Sequence, residues 1–377
     1  MKLQVRDKDI IFGSPDLEEL HTLNSYPVFM GCVDHDFRKD LRAEQTWEIC
    51  RSSGILQLKK LIPLEILYGD HHSSGAVGAT WMDHHQNFAD FILKYKPKKV
   101  LEIGGAHGIL AKKFMEFIEI PWTIIEPNPN PVKGCKAKFI KGFIKNDYLL
   151  NLTEDTIIHS HVLEHLYNPN EFFRNLSSVK HSTKLIFSVP NMLEMLKRKY
   201  TNCLNFEHTL FITEPLIEYL LSSSGFEILE KKYYKDDHSI FYSCVKKEKS
   251  KIINLPKNYY EENKKVFLDY INYHEKLVNQ LNNDIKKINS KEFLFGAHVF
   301  SQYLLEFGLE SARINCILDN DKNKQGKRLY GTNLKVNSPK ILKEEVSKPY
   351  VILRAGAYNE EIKKDIIENI NPNVIFI

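Results

Sequence analysis

One segment restricts the fold of this chain more than any other: the apolar run Val100–Ile103, which leads directly into a glycine-rich turn. The turn contains Gly104, Gly105 and Gly108, and a helical pattern follows it. A strand, a glycine turn and a helix in this order are typical of a Rossmann-like α/β unit, whose turn lies close to a ligand. The dinucleotide pattern G-x-G-x-x-G is absent because its third glycine is missing. The segment therefore predicts a ligand-binding turn of a related kind.

The surrounding residues extend this unit into a sheet. Short β-type runs alternate with amphipathic stretches between residues 98 and 249. The runs are Val100–Ile103, Trp122–Glu126, Thr156–Ser160, 185–189, Phe226–Tyr234 and 239–245. This order predicts a parallel sheet that ends in a hairpin.

The whole chain has 377 residues, which is too long for a single core, so we expect further domains outside this sheet. Residues 1–97 are a mixed stretch with helical spacing over 83–95, and residues 250–289 predict one long helix. Residues 290–377 repeat the α/β pattern, with strand-like runs at 292–296, 314–319 and 349–356. We expect an α/β protein with a Rossmann-like core, a small N-terminal module and a second, smaller C-terminal Rossmann-like domain.

Charge and cysteine content exclude several classes of protein. The 52 basic and 48 acidic residues are spread along the whole chain, so nucleic acid is not an expected partner. No apolar run of about 18 residues and no apolar export segment is present, so neither membrane spanning nor export is predicted. Six scattered cysteines form no disulfide framework, which agrees with a cytoplasmic location.

An acidic residue on the next strand turns the glycine segment into a credible cofactor site. Glu126 ends the run Trp122–Glu126, where an acid in a Rossmann-like unit accepts hydrogen bonds from ribose hydroxyls. Glu102, directly before the glycines, can accept one from a ligand ammonium group. The candidate cofactor-binding residues of this region are Glu102, Gly104, Gly105, Ala106, His107, Gly108, Glu126 and Pro127.

With the segment Ile157-Ile-His-Ser-His-Val-Leu-Glu-His165 at the fourth strand, residues 98–249 resemble the class I S-adenosylmethionine-dependent methyltransferases. In that family the glycine turn approaches the methionine part of the cofactor, the acid holds its ribose, and the fourth-strand segment lies beside the sulfonium. The resemblance implies these roles for Gly104, Glu126 and residues 159–161, and it adds Ser160 and His161 to the cofactor site.

The C-terminal part resembles one branch of this family. The segments Phe295-Gly-Ala297, Leu318-Asp-Asn-Asp-Lys-Asn-Lys-Gln-Gly326 and Tyr330-Gly-Thr332 look like the last domain of sugar C-methyltransferases. Those enzymes act on nucleotide-linked keto-deoxysugars and carry a zinc-binding N-terminal module. The resemblance implies a nucleotide-activated sugar for a surface polysaccharide or related glycan as acceptor, and it leaves the oligomeric state open.

The N-terminal module departs from this branch at the metal site. The branch binds zinc tetrahedrally through two C-x-x-C pairs, each before a glycine. Here the pairs read Asp9-Ile-Ile-Phe12 and Cys50-Arg-Ser-Ser53, so one cysteine of the four remains. We expect the module to keep its shape without zinc, and we predict no metal site. A site formed by Cys32, His35 and Cys50 is the alternative.

A catalytic segment follows the fifth strand. Asn205-Phe-Glu-His208 corresponds to the branch's Y-x-E-H segment, whose Glu and His lie near the sugar carbon that loses a proton. Histidine suits proton removal because its pKa lies near working pH. We expect His208, oriented by Glu207, to act as the base, with His165 as second choice. Asn205 replaces the tyrosine, and an amide cannot give up a proton near neutral pH.

Several alternatives remain open. Carbon methylation needs a ketone that stabilises an enediolate-like intermediate, whereas oxygen methylation needs only a positioned hydroxyl and a base. The loss of the tyrosine shifts the prediction slightly towards oxygen. An NAD-binding oxidoreductase and a non-catalytic scaffold are rivals from other classes. Four histidines before the core are expected to be solvated, or else to line the acceptor pocket: His71, His72, His84 and His85.

Overall fold

The computed structural model describes residues 1–69, 78–288, 292–345 and 348–377. The N-terminal part of the chain is built mainly from β-strands. The strands are β1 (Gln4–Val5), β2 (Leu17–Pro27), β3 (Cys32–Val33), β4 (Arg42–Cys50), β5 (Leu56–Leu58) and β6 (Lys60–Leu61). Strands β2, β4 and β5 form an antiparallel sheet, and β1 pairs with β6. Two helices follow, α1 (Leu64–Leu67) and α2 (Ala79–Leu93), of which α2 covers most of the stretch predicted as helical.

Two tight turns of this module stand where the zinc-binding pairs of the resembling branch would be. Gly13 and Gly54 close them with φ angles of 74° and 75°, and their N–H groups donate to the carbonyls of Asp9 and Cys50 at 2.8 Å. The hydroxyl of Ser53 donates to the carboxylate of Asp9 at 2.8 Å. The two turns therefore share one conformation, and a hydrogen bond between their own side chains connects them.

The core contains a seven-stranded mixed sheet in the order β12-β13-β11-β10-β7-β8-β9. Its strands are β7 (Val100–Ile103), β8 (Trp122–Glu126), β9 (Lys138–Lys141), β10 (Thr156–Ser160), β11 (Lys184–Pro190), β12 (Phe226–Tyr234) and β13 (Ser239–Lys246). The helices are α3 (Ile109–Met115), α4 (Asn146–Leu150), α5 (Pro169–Ser177), α6 (Met192–Lys197), α7 (Glu214–Ser223) and α8 (Lys235–His238). Strand β13 runs antiparallel to both β11 and β12. The predicted parallel sheet with a terminal hairpin is confirmed, and β9 is an edge strand that the prediction missed.

One long helix, α9 (Tyr259–Lys287), connects the core to the C-terminal domain. The prediction placed its start at residue 250, but the helix begins after Pro256. Proline disfavours the helical conformation of the residue before it, which explains the later start. In the described ranges, no helix is both long and apolar enough to cross a membrane.

The C-terminal domain is a smaller α/β unit with a five-stranded parallel sheet in the order β17-β15-β14-β18-β19. Its elements are β14 (Glu292–Phe295), α10 (Val299–Glu306), β15 (Ile314–Leu318), β16 (Arg328–Leu329), β17 (Val336–Asn337), β18 (Tyr350–Leu353), α11 (Asn359–Asn369) and β19 (Ile375–Phe376). Strand β16 pairs with β3 of the N-terminal module. The second Rossmann-like unit is thus connected to the core by α9 and to the N-terminal module by a strand pair.

Candidate active site

A large cleft of about 1860 Å³ lies between the core and the C-terminal domain. Its wall includes the turn after β7, the carboxyl end of β10 and the turn after β14. Ligands of open α/β sheets bind at the carboxyl ends of the strands, and an ordinary small-molecule pocket measures about 300–1,000 Å³. The cleft therefore has room for two ligands.

The glycine turn of the core packs tightly against side chains of the protein interior. Gly104, Ala106 and Gly108 adopt φ angles of 71°, 42° and 69°, in the left-handed region. A Cβ atom on Gly105 would come within 2.8 Å of the carboxyl carbon of Glu102. The glycines are therefore needed for packing inside the protein as well as for the approach of a ligand.

Two carboxylates lie at this turn. Glu126 accepts hydrogen bonds from the N–H groups of Ala106 and Asn128, both at 3.0 Å. Glu102 is 2% exposed and accepts a hydrogen bond from the indole N–H of Trp122 at 2.8 Å. Burial raises the pKa of Glu102 to about 7. Each carboxylate oxygen has a further lone pair, so both groups keep the capacity to accept from a ligand.

The predicted cofactor-binding residues lie together along this wall. All of them line the cleft except Gly108, which is buried beneath the turn. His107 contributes its ring, whose Nδ1 lies 2.9 Å from the carbonyl of Asn130. Pro127 and Ser160 lie at the ends of β8 and β10. The structure thus brings together residues that the sequence places in three separate segments.

His161 stands at the end of β10 in a strained backbone conformation. Its φ angle is 53°, which is unusual for a residue other than glycine and often marks a functional site. Its Nε2 lies 2.9 Å from the hydroxyl of Ser239, which in turn lies 2.7 Å from Nδ1 of His238. Burial holds the pKa of His161 well below its usual value, so the ring is neutral near pH 7.

The residues predicted to be catalytic form one cluster at the cleft. The rings of His165 and His208 have centroids 5.4 Å apart, and a carboxylate oxygen of Glu207 lies 3.9 Å from Nδ1 of His165. Asn205 accepts hydrogen bonds from the N–H groups of Glu207 and His208 through its side-chain oxygen, at 2.8 and 2.9 Å. That oxygen shapes the turn which carries the two residues.

A backbone carbonyl orients the ring of His208, and no sequence pattern indicates this contact. Nδ1 of His208 lies 2.6 Å from the oxygen of Cys203, so this nitrogen donates its proton and the lone pair is on Nε2. Burial lowers the pKa of His208 below its usual value. The ring is therefore held in one tautomer, in its neutral form.

Two further residues of the cluster were not predicted. The hydroxyl of Tyr68 lies 3.0 Å from Nδ1 of His165, although 97 positions separate the two residues in the sequence. Glu164 is 1% exposed, and burial raises its pKa to about 8. Its Oε1 lies 3.5 Å from Nδ1 of His161 and 3.8 Å from Nε2 of His165. Asn205 stands where the resembling branch has a tyrosine, and Tyr68 supplies a phenol to the same site from another segment.

The expectation that the histidines before the core are solvated is wrong for His84 and His85. Their side chains are buried, because α2 packs this face against the sheet. The rings surround Trp81, which also lies 5.0 Å from the ring centroids of His161 and His238. His85 and Trp81 line the cleft. His71 and His72 lie outside the described residues.

The C-terminal domain forms the opposite wall. Gly296 follows β14 with a φ angle of 104°, and the next residue, Ala297, donates its N–H to the carboxylate of Asp319 at 2.8 Å. The ammonium group of Lys324 lies 3.0 Å from the same carboxylate. Lys324 and Lys327 line the cleft together with Asp319 and Asp321, so this wall presents both ammonium and carboxylate groups to it.

Comparisons with known proteins agree with this architecture. Residues 78–231 match the family model of a methyltransferase domain, and residues 230–377 match that of a C-methyltransferase C-terminal domain. The chain therefore has an α/β Rossmann-like methyltransferase fold with a second, related C-terminal domain, as predicted. No curated protein sequence matches the chain.

Two solved structures illustrate the likeness. Magnesium protoporphyrin IX methyltransferase from Synechocystis PCC 6803, with bound S-adenosylhomocysteine, is 16% identical; the match covers 48% of this chain and 91% of that one, with a TM-score of 0.35. The 1,6-didemethyltoxoflavin-N1-methyltransferase of Burkholderia thailandensis is also 16% identical, over 44% of this chain and 78% of that one, with a TM-score of 0.33.

Proposed function

We propose that this chain, a methyltransferase by its two family matches, transfers the methyl group of S-adenosylmethionine to a nucleotide-linked sugar. The observation that carries the proposal is the continuous cleft, which joins the glycine turn of the core to the lysines of the C-terminal domain. A cofactor at the first wall and a nucleotide at the second would place the sugar between them, beside His208.

The residues at the first wall fit the cofactor. Glu126 would accept from the ribose hydroxyls, Glu102 from the ammonium group, and the backbone from Gly104 to Ala106 leaves no large side chain in the way. When bound, S-adenosylmethionine supplies an electrophilic methyl group on its sulfonium.

The second wall supports an anionic acceptor. Lys324 and Lys327 can bind phosphate oxygens as point charges, and Lys145 lines the cleft as well. A neutral acceptor would make no use of these three side chains. A nucleoside diphosphate linked to a sugar combines the anionic group and the reacting carbohydrate in one molecule.

The protein must hold acceptor and donor in line and activate the attacking atom. We assign activation to His208, whose Nε2 lone pair is available because Nδ1 donates to the carbonyl of Cys203. His165 and Glu207 lie beside it, with Glu207 near enough to receive a proton. The acceptor atom that we favour is a hydroxyl oxygen.

Carbon methylation is the second candidate, and Tyr68 favours it. Its hydroxyl could donate to the oxygen of a keto-sugar next to the reacting carbon, which is the role that Asn205 cannot perform. The match to a C-methyltransferase C-terminal domain also supports this alternative. Nuclear magnetic resonance of the product would distinguish O–CH₃ from C–CH₃ directly.

The test has two stages. Calorimetry should show binding of S-adenosylhomocysteine and none of NAD, since the NAD-binding oxidoreductase is the rival. Labelled S-adenosylmethionine should then transfer its methyl group to at least one member of a panel of nucleotide sugars. Tight cofactor binding without transfer to any member would favour the scaffold instead.

A variant of His208 tests the assignment of activation. His208→Ala should lower turnover by about a hundredfold or more while cofactor affinity stays the same, because activation contributes to the chemical step. His181→Ala, at an exposed turn, is the matched control. Unchanged turnover in His208→Ala would remove this residue from the mechanism.

A further inference from the structure

We propose that Glu164, His165 and His208 bind a divalent transition-metal ion that activates the acceptor, an inference that rests on the proposed function and specifies how its central step occurs. This differs from the sequence analysis, which predicts no metal site. The three residues all line the cleft, at the point where the acceptor would lie.

Glu164 is the first observation that points to a bound cation. Its side chain is buried, and neither carboxylate oxygen accepts a hydrogen bond from another residue in the described part of the chain. A buried carboxylate is unfavourable unless a cation or hydrogen bonds compensate for its lost hydration. One of them, Oε1, instead lies near ring nitrogens of His161 and His165.

The distances fit a shared ion. Ligand atoms of Glu164, His165 and His208 all lie within 4.8 Å of one another, and Oε1 of Glu164 is 3.8 Å from Nε2 of His165. Atoms bound to one ion at about 2.0–2.2 Å lie at most about 4.4 Å apart. Small side-chain rotations would therefore complete the site.

The groups behind the ligands are arranged as they are in known metal sites. Metal-binding histidines usually donate the other ring N–H to a carbonyl or a carboxylate, which fixes the ring and its tautomer. His208 does this with the carbonyl of Cys203, while Tyr68 and Glu207 approach Nδ1 of His165 at 3.0 and 3.9 Å. The lone pair of His208 is thereby placed on Nε2, and Nε2 of His165 lies 3.8 Å from Oε1 of Glu164.

A second histidine group lies nearby and differs in its ligand set, which consists of imidazoles alone. His84, His161 and His238 also bring ligand atoms within 4.8 Å of one another. Hydrogen bonds with Ser188 and Ser239 involve one nitrogen of each ring, as in the first group. The group contains no carboxylate of its own, although Oε1 of Glu164 lies 3.5 Å from Nδ1 of His161, and we assign no ion to it.

Two imidazoles and one carboxylate favour ions such as Mn²⁺, Fe²⁺, Co²⁺ and Zn²⁺. Three protein ligands leave coordination positions open towards the cleft, as in catalytic rather than structural sites. An acceptor hydroxyl bound there would have a lowered pKa. When the ion is bound, the Nε2 lone pair of His208 binds the metal, so His208 activates the acceptor through the ion and not as a free base.

The step balances with the groups at hand. The acceptor O–H bond breaks and its proton passes to Glu207, which is partly exposed and can release it to water. The acceptor oxygen then forms its bond to the methyl carbon as the carbon–sulfur bond breaks, and the electron pair of that bond stays on sulfur. No oxidant or reductant takes part.

The experiment uses the full-length chain, treated with EDTA and dialysed, and MnCl₂ as probe. Calorimetry and electron paramagnetic resonance should show about one bound Mn²⁺ per chain. Glu164→Gln and His208→Gln should weaken binding by about a hundredfold or more, since loss of an outer partner alone costs tenfold to a hundredfold. His181→Ala should bind like the original protein.

Stability measurements keep the result interpretable if a variant folds poorly. Circular dichroism selects the variants that retain the native fold, and Mn²⁺ should raise the Tm of the original chain but not that of Glu164→Gln. His208 is less buried than Glu164, so His208→Gln provides a second test at a position where folding is less at risk.

Binding of S-adenosylhomocysteine is measured in parallel, with and without Mn²⁺. Loss of methyl transfer after EDTA, restored by Mn²⁺, would support the ion. Full methyl transfer by metal-depleted protein would overturn the metal site and leave the proposed function standing. Absence of Mn²⁺ and Zn²⁺ binding would overturn it as well. Failure to bind the cofactor would instead refute the proposed function, whatever the metal result.

Discussion

The glycine turn of the core and that of the C-terminal domain have the same construction. In each, a parallel strand leads into a glycine with positive φ, at Gly104 and Gly296. In each, an acid at the carboxyl end of the neighbouring strand accepts a hydrogen bond from an N–H group of the turn, at 3.0 Å for Glu126 and 2.8 Å for Asp319.

The two turns differ in charge. Lys324 lies against Asp319, whereas the hydrogen bonds that Glu126 accepts in the described part of the chain come from backbone N–H groups. The first turn therefore presents a carboxylate suited to ribose hydroxyls, and the second presents an ammonium group suited to phosphate. The same local structure therefore holds a carboxylate bound by backbone N–H groups in the core and a carboxylate paired with a lysine in the C-terminal domain.

The largest effect should come from the acid of the core. Glu126→Ala should weaken binding of S-adenosylhomocysteine by about a hundredfold, because charge-assisted hydrogen bonds are worth about 1.5–3 kcal/mol. Asp319→Asn should leave that affinity unchanged. Calorimetry measures both, and equal losses would mean that the two turns do not have separate ligands.

The two glycine turns should also differ in their tolerance of a methyl group. Gly105→Ala should lower the free energy of unfolding by about 2–3 kcal/mol, because the new Cβ has no space beside Glu102. Gly296→Ala meets its nearest atom only at 3.6 Å and should cost about 1 kcal/mol through its left-handed φ. Urea denaturation compares the two variants. A larger loss for Gly296→Ala would contradict the packing argument.

A buried histidine between the two regions predicts a pH effect of similar or smaller size. His274 on α9 lies 3.1 Å from the carbonyl of Lys199 in the core and packs on Tyr303 of α10. Burial lowers the pKa of His274 to about 4, whereas an unfolded chain binds this proton near pH 6.5.

The sign follows from that difference. As pH falls from 6.5 towards 4, the unfolded state gains the proton first, so His274 removes about 2 kcal/mol of stability by pH 5. His274→Gln should lose less stability than the original chain between pH 7 and pH 5 in urea titrations. An identical decrease in both proteins would exclude this residue as the cause.

The smallest effect should come from the lysine that distinguishes the second turn. Lys324→Ala should weaken binding of UDP or dTDP by about tenfold, or about 1.4 kcal/mol, and the difference should shrink at high salt. Affinity for S-adenosylhomocysteine should not change. A loss of cofactor affinity alone would reverse the assignment of the two walls.

Local sequence pattern predicted the central strands because they are buried on both faces and read as apolar runs, as in Val100–Ile103 and Thr156–Ser160. It missed Lys138–Lys141, an edge strand whose side chains are half-buried or exposed. It indicated Gly104, Glu126 and His208 because each belongs to a short motif.

The remaining parts of the site depend on packing between distant segments. Tyr68 reaches His165 across 97 positions, and the carbonyl of Cys203 that orients His208 has no side-chain signature. Glu164 stood inside a recognised segment, but its burial without a hydrogen-bonding partner is visible only in three dimensions. The roles of the individual site residues stay predictions until variants are measured.

The arrangement of the three tryptophans gives the molecule its own optical reporters. Trp81 lies among four histidine rings at the cleft, and Trp122 donates to Glu102 beneath the glycine turn. Trp47 is buried in the N-terminal module and packs on Phe267, away from both walls. Ligand arrival and protonation events should therefore alter the emission of two indoles against a constant third, without any attached dye.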